Sequence, residues 1–302
     1  MLAAFLTAAL WSVGAVSANR GARLVGGLRF NLVRLLLAVT LLGSYAHTFG
    51  GGLAGAWVPW FLVSGVIGFG IGDLAGYSAL AALGSRLAVL VIHCAAMPLG
   101  ALLEWLWLGT RPLPSQMAWA AVIAAGLVIA MAPSLEGRAP VSASAGTRAG
   151  LGWGVSMSLV SAASQAFGAV TSRKAFELAS NAGAFVDAVT AAYQRCLGGV
   201  LVVIAFVIVV SRHKPAAATP SQWHEVPKWL VIHTLAGPVI GVACFQWALR
   251  TTPAALVLPI LATIPLIVTP LSMALEGERP SRRSLAGAML SVGGACALAA
   301  GR

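Results

Sequence analysis

Charge is what this chain has least of. Only 9% of its 302 residues are Asp, Glu, Lys or Arg, against about 25% in an average soluble domain. A water-facing surface cannot be assembled from that composition, which excludes an ordinary soluble fold. Sustained alternation of apolar and polar residues is missing as well, which excludes a membrane β-barrel. The chain has no glycine-rich phosphate cradle, no HExxH-type metal motif and no serine nucleophile with a base beside it, so neither an ATP-driven pump nor an enzyme is expected. Cysteine is sparse. Cys94, Cys196, Cys244 and Cys296 stand apart inside apolar runs without metal-like spacing, and are read as small buried hydrophobes rather than disulfides or ligands. No metal and no cofactor is expected.

What the chain does have is apolar length. Hydrophobic residues make up 59% of it, in runs of about 20 residues, enough to cross a hydrocarbon layer of about 30 Å. The expected fold is an all-α polytopic membrane protein with ten transmembrane helices. They fall near 2–18, 28–45, 57–80, 84–108 and 113–132, then 150–170, 183–210, 227–249, 254–275 and 283–300. The first run lacks a basic leader segment and has a partner later in the chain, so it reads as retained structure, not a signal peptide. The net charge of +11 sits in short loops and at helix ends, where Lys and Arg meet lipid headgroups and set orientation. The bilayer is therefore a partner and nucleic acid is not. The distribution of those charges favours both termini outside.

The chain is also duplicated. Val58–Pro112 opens Val58-Pro59-Trp60, and Val226–Pro280 opens Val226-Pro227-Lys228-Trp229, a constant offset of 168 residues that also relates Gly126 to Gly294. Gly14-Ala15-Val16-Ser17 similarly answers Gly168-Ala169-Val170-Thr171 at 154. The least apolar segment, Pro133–Gly150, separates the copies. The expected organisation is a five-helix repeat over 1–135, a linker over 136–149 and a second five-helix repeat over 150–302. Five is odd, so the copies enter the membrane from opposite sides. Inverted repeats supply two near-equal packings, the physical basis of alternating access.

Ionisable groups at membrane depth are costly, so each is a functional candidate. Asp73 lies well inside the third span in Gly68-Phe-Gly-Ile-Gly-Asp73, and Tyr77 is one turn further on the same face. With a turn expected near Leu83-Gly84, His93 on the fourth span reaches the same depth as Asp73. The two could bind substrate, relay a proton, or neutralise one another. Arg86, His93, Gly100 and Glu104 share a face of the fourth span; Arg86 reads as snorkelling to water, Glu104 as either lining a pathway or snorkelling. Ser158, Ser161 and Gln165 form a polar stripe on the sixth span. Trp11 and Gln165 are equivalent by the 154 offset, and Gln246 on the eighth span is a further candidate. Arg34 and Arg195 read as helix-end anchors. Pro98, Pro259, Pro265 and Pro270 interrupt their spans as hinges or static kinks.

Ten spans in two repeats, with Gly277-Glu278-Arg279-Pro280 leading into a last span that carries Gly287 and Gly293-Gly294, resemble the EamA-type members of the drug/metabolite transporter superfamily. The first-repeat copy departs from the family pattern with Thr110 in place of Glu, and the second has Glu276 in place of Leu. The resemblance implies a secondary active transporter with a central cavity that exports small metabolites such as amino acids across a bacterial inner membrane. Its partners would be a small-molecule solute and a coupling proton, and the protein would act as a monomer or homodimer. The alternative is a proton-coupled exporter of organic cations or drugs, with Asp73 binding the cation.

Overall fold

The computed structural model describes residues 2–108, 113–131, 148–211, 224–252, 254–277 and 279–300. Among these the regular structure is entirely helical. Helix α1 (Leu2–Val25) turns at Gly26 into α2 (Gly27–Thr48). Gly26 holds φ 85° and ψ 140°, a backbone that only glycine adopts without strain. Helix α3 (Val58–Gly65) starts with Pro59 in its first turn, where a missing amide hydrogen costs nothing. It runs through a π-helical stretch, Val66–Ile71, into α4 (Gly72–Leu108). The expected turn near Leu83-Gly84 is there: Gly84 has φ 78° and ψ 172° inside α4, dividing it into two helices. Helix α5 spans Pro114–Met131.

The later helices repeat the pattern. They are α6 (Arg148–Asn181), α7 (Ala188–Ser211), α8 (Val226–Thr234), a second π-helical stretch (Leu235–Val239), α9 (Ile240–Thr251), α10 (Ala254–Leu261), α11 (Ile264–Glu276) and α12 (Arg282–Ala300). Asp187 caps α7, its carboxylate accepting from the Val189 and Thr190 amides at 3.0 and 2.8 Å, the usual remedy for unsatisfied first-turn donors. The proline-rich segment that reads as one span is broken between α10 and α11. Pro259 lies inside α10, Pro265 starts α11 and Pro270 lies within it.

Helix α4 packs along α6, α2 along α7 and α5 along α12, with α1 in contact with α8, α9 and α11. Small residues and hydroxyls make the close contacts. Ser64 Oγ donates to the Gly168 carbonyl at 2.6 Å and meets Ser172 Oγ at 2.9 Å; Ser291 Oγ donates to the Ile123 carbonyl at 3.2 Å. This is how membrane helices associate when lipid removes any hydrophobic drive between them.

Polarity runs inside out. Leu106, Val128 and Met289 are strongly exposed, whereas Arg34, Asn31, Gln194, Arg195 and His233 are buried. Six helical runs among the described residues are long and apolar enough to cross a membrane. They are Leu2–Val25, Gly27–Thr48, Val58–Trp107, Ala188–Val209, Val226–Thr251 and Val257–Glu276, with Met117–Ala130 a shorter apolar helix. A soluble core would invert this distribution. The molecule is an integral membrane protein.

Candidate functional site

A cavity of about 180 Å³ opens between α1, α2, α4, α6, α7, α8, α9 and the two π-helical stretches. Both stretches reach its wall: Gly68 and Phe69 belong to the first, Gly237 and Pro238 to the second. Such turns widen a helix locally and recur at functional sites.

Asp73 sits on the first turn of α4 and projects to this wall, where it meets Arg34 from α2 in an ion pair. Arg34 Nε also donates to Asn31 Oδ1 at 2.9 Å, one turn earlier. The guanidinium lies 5.6 Å from the Tyr77 ring centroid, close enough for a cation–π attraction. Tyr77 in turn shares a hydrogen bond with His233 Nε2 on α8 at 3.1 Å, and His233 stacks on Phe30 at 5.7 Å. The chain Asn31–Arg34–Asp73, with Tyr77 and His233 beside it, ties α2, α4 and α8 together at one level. Tyr77→Phe removes the hydroxyl and leaves His233 Nε2 without that partner. We expect about 1 kcal/mol or somewhat more of lost stability, read as a lower thermal unfolding midpoint in detergent; an unchanged midpoint would mean the bond contributes nothing.

Another part of the wall is organised by His93. Gln165 Nε2 donates to His93 Nδ1 at 3.2 Å, which in the neutral ring leaves the proton on Nε2. The Trp11 ring centroid is 5.9 Å from that of His93 and 5.1 Å from that of Phe245. Trp11 and Gln165, equivalent in sequence, thus flank one imidazole from α1 and α6.

Asp73, Tyr77, His93, Trp11 and Gln165 all line this one cavity. Two expectations change. Asp73 and His93 do not neutralise one another, because Arg34 takes the carboxylate and Gln165 takes the imidazole. Nor do Arg34 and Arg195 anchor helix ends. Each lies seven residues past the start of its helix, about 10 Å along the axis, and they are only 3% and 4% exposed. Gln246 is fully buried, both its amide atoms have no hydrogen-bond partner among the described residues, and it does not line the cavity; nothing in the structure explains its position. The Glu104 side chain lies outside the described residues.

Three contributors do not stand out in the sequence: His233, Phe69 and Phe245. His233 carries a signal, being one of five histidines and lying inside an apolar run. Glu276, in sequence only a departure from a family pattern, accepts from Asn19 Nδ2 at 2.8 Å and Ser85 Oγ at 2.6 Å, tying α11 to α1 and to α4 beside Gly84. Among the described residues no three His, Cys, Asp or Glu side chains converge as a metal site would need.

Apolar outside and charged within, with a recess of small-molecule size, the chain is a helical membrane protein built around a solute-sized cavity. Residues 1–132 and 152–300 match the EamA-like transporter family; the chain belongs to that family, within the drug/metabolite transporter superfamily, and is a membrane transporter. A solved crystal structure, described only as that of a protein, superposes with a TM-score of 0.67 at 21% identity, covering 99% of this chain and 95% of the other. That likeness shows the fold. No curated protein matches the chain.

Proposed function

We propose that the protein is a secondary active transporter that exports small polar or amphipathic metabolites, amino acids among them, from a bacterial cytoplasm by alternating access. The observation that carries this is the cavity itself: charged, amide and imidazole groups converge with tryptophan and phenylalanine rings at the centre of an apolar helical body. A solute with one polar end and one apolar body fits such a lining.

The inverted-repeat reading, ten spans in two halves, draws support from the elements. Helices α3 and α8 start 168 residues apart, as do α4 and α9, and a π-helical stretch precedes each of the latter pair. The Gly84 break is answered at the same offset by Thr252, where α9 ends in extended backbone. The two family-matched stretches flank the linker. Two such halves can exchange packings about a site between them.

The organic-cation alternative needs a free carboxylate. Asp73 is engaged by Arg34, and the cavity wall carries two guanidiniums to one carboxylate. Repulsion would oppose a cationic solute there, so the metabolite reading is preferred.

Liposomes carrying purified protein, preloaded with unlabelled solute, provide the test by counterflow of labelled amino acids, organic acids, sugars and organic cations. Exchange of at least one of the first three classes, above protein-free liposomes, is expected. A protein that exchanges none of the panel while turning over lipid would overturn the proposal. If the proton is the coupling ion, through Asp73 or His93, an imposed pH gradient raises accumulation several-fold; equal uptake with and without the gradient removes it.

A further inference from the structure

Arg195, on the cavity wall, is a cation that the described contacts leave without an ion-pair partner. It is 4% exposed. Its Nε and Nη1 are buried without a hydrogen-bond partner among the described residues. The guanidinium rests between two rings, 5.3 Å from the Phe69 centroid and 5.6 Å from that of Phe245. Two glycines make room for it: a methyl group added to Gly68 or Gly168 would come within 2.9 or 3.1 Å of Arg195 Nη2. The space is kept open around a cation that no described carboxylate approaches within ion-pair distance.

The duplication says what is missing. Arg34 and Arg195 stand at the same position of α2 and α7, each seven residues past the helix start. Arg34 is neutralised by Asp73 from α4 in the same half. The residue that answers Asp73 at the 168 offset is Gly241, and a Cβ placed there would already stand 2.7 Å from the Trp11 ring. The first half supplies its own carboxylate. The second supplies the cation and leaves the anion to come from elsewhere.

We propose that Arg195 binds the carboxylate of the transported solute, so that the substrate is a small organic acid or amino acid whose carboxylate occupies, for Arg195, the place that Asp73 fills for Arg34. The geometry suits it: a planar guanidinium pairs with a carboxylate through parallel hydrogen bonds, and Phe69 and Trp11 on the cavity wall offer apolar surface for the body of the same molecule. With a simple organic acid bound, the two guanidiniums of the wall are matched by two carboxylates, Asp73 and that of the solute, whereas the empty cavity has only one. This rests on the transport reading above, but its test separates the two.

The binding arm uses matched probes on purified protein in detergent: 3-phenylpropanoate and L-leucine against 3-phenylpropanol and L-leucinol, which lack the carboxylate. The two carboxylates should raise the unfolding midpoint of the wild type, by mass action on the folded state, and the two alcohols should not. Arg195→Gln should weaken carboxylate binding by about tenfold to a hundredfold, with Arg195→Lys between. A second readout tests fold and role together. Because no described carboxylate pairs with this cation, ligand-free Arg195→Gln should unfold at the same or a higher temperature than wild type, whereas Arg34→Gln, which strands Asp73, should unfold lower.

Equal stabilisation by alcohols and carboxylates, carboxylate binding unchanged in Arg195→Gln, or a ligand-free Arg195→Gln protein much less stable than wild type would each overturn the assignment. The flux arm decides the other question. Carboxylate binding without counterflow would sink the transport reading and leave the Arg195 site standing. Counterflow of sugars alone, equal in wild type and Arg195→Gln, would do the reverse.

Discussion

Asp73→Asn will lower both the stability and the activity of the protein, and the loss of stability will come from Arg34. The substitution preserves shape but removes the charge that holds a guanidinium only 3% exposed. Breaking a buried pair by neutralising one partner leaves the other desolvated and uncompensated, at a cost of about 3–5 kcal/mol. The variant should therefore show a thermal midpoint several degrees lower and a larger aggregated fraction on extraction. Removing both charges avoids that penalty, so Arg34→Met combined with Asp73→Leu should recover most of the lost stability. The recovered protein should still fail in counterflow, since the cavity would have lost the pair that orders α2, α4 and, through Tyr77, α8. Full transport by the double variant would reduce the pair to packing, and an unchanged midpoint in Asp73→Asn would deny the pair any part in stability.

Gly65→Ala should be comparably damaging for a steric reason. Helices α3 and α7 cross so closely that a Cβ on Gly65 would overlap the Arg195 carbonyl oxygen, and one on Gly198 would overlap that of Leu62. Backbone atoms cannot rotate away, so the helices must separate, at about 1–3 kcal/mol or more. Displacement of α7 also moves Arg195, and counterflow should fall with stability. Gly293→Ala on α12 is the control, since an added Cβ there meets nothing within 4 Å. It should be neutral or stabilising by roughly 0.5–1 kcal/mol, because alanine restricts the unfolded chain and favours the helix. Equal midpoints for Gly65→Ala, Gly293→Ala and wild type would show that the close crossing is not needed.

Much of the fold is legible because membrane helices write themselves as long apolar runs, and because the same punctuation recurs 168 residues apart. The Gly84 turn and the breaks in the proline-rich segment come from local residues. The shared depth of Asp73 and His93 comes from counting outward from a turn, Tyr77 follows one turn from Asp73, and Trp11 and Gln165 come from the 154-residue offset. Azimuth does not. Height along a helix says nothing about which neighbour faces a side chain, so the partner of Asp73 is Arg34, on a helix whose packing no pattern in α4 encodes. The two arginines mislead for a related reason. Their closeness in sequence to span starts suggests the interface, and only the packing of α2 against α7 reveals that this part of each helix is interior. His233 escapes because its place depends on tertiary contact with Phe30 and Tyr77.

The two π-helical stretches have one more effect, on angular phase. A π turn closes over one residue more than an α turn, and each residue of an α-helix advances the azimuth by about 100°. Passing through Val66–Ile71 therefore rotates α4 about its axis relative to α3. Ser64 can keep its hydroxyl on Gly168 while Asp73, further along the same rod, faces Arg34. An uninterrupted α-helix would lock those two directions to each other; the extra residue uncouples them, so that one continuous segment can be fitted to its scaffold at one end and to the cavity wall at the other.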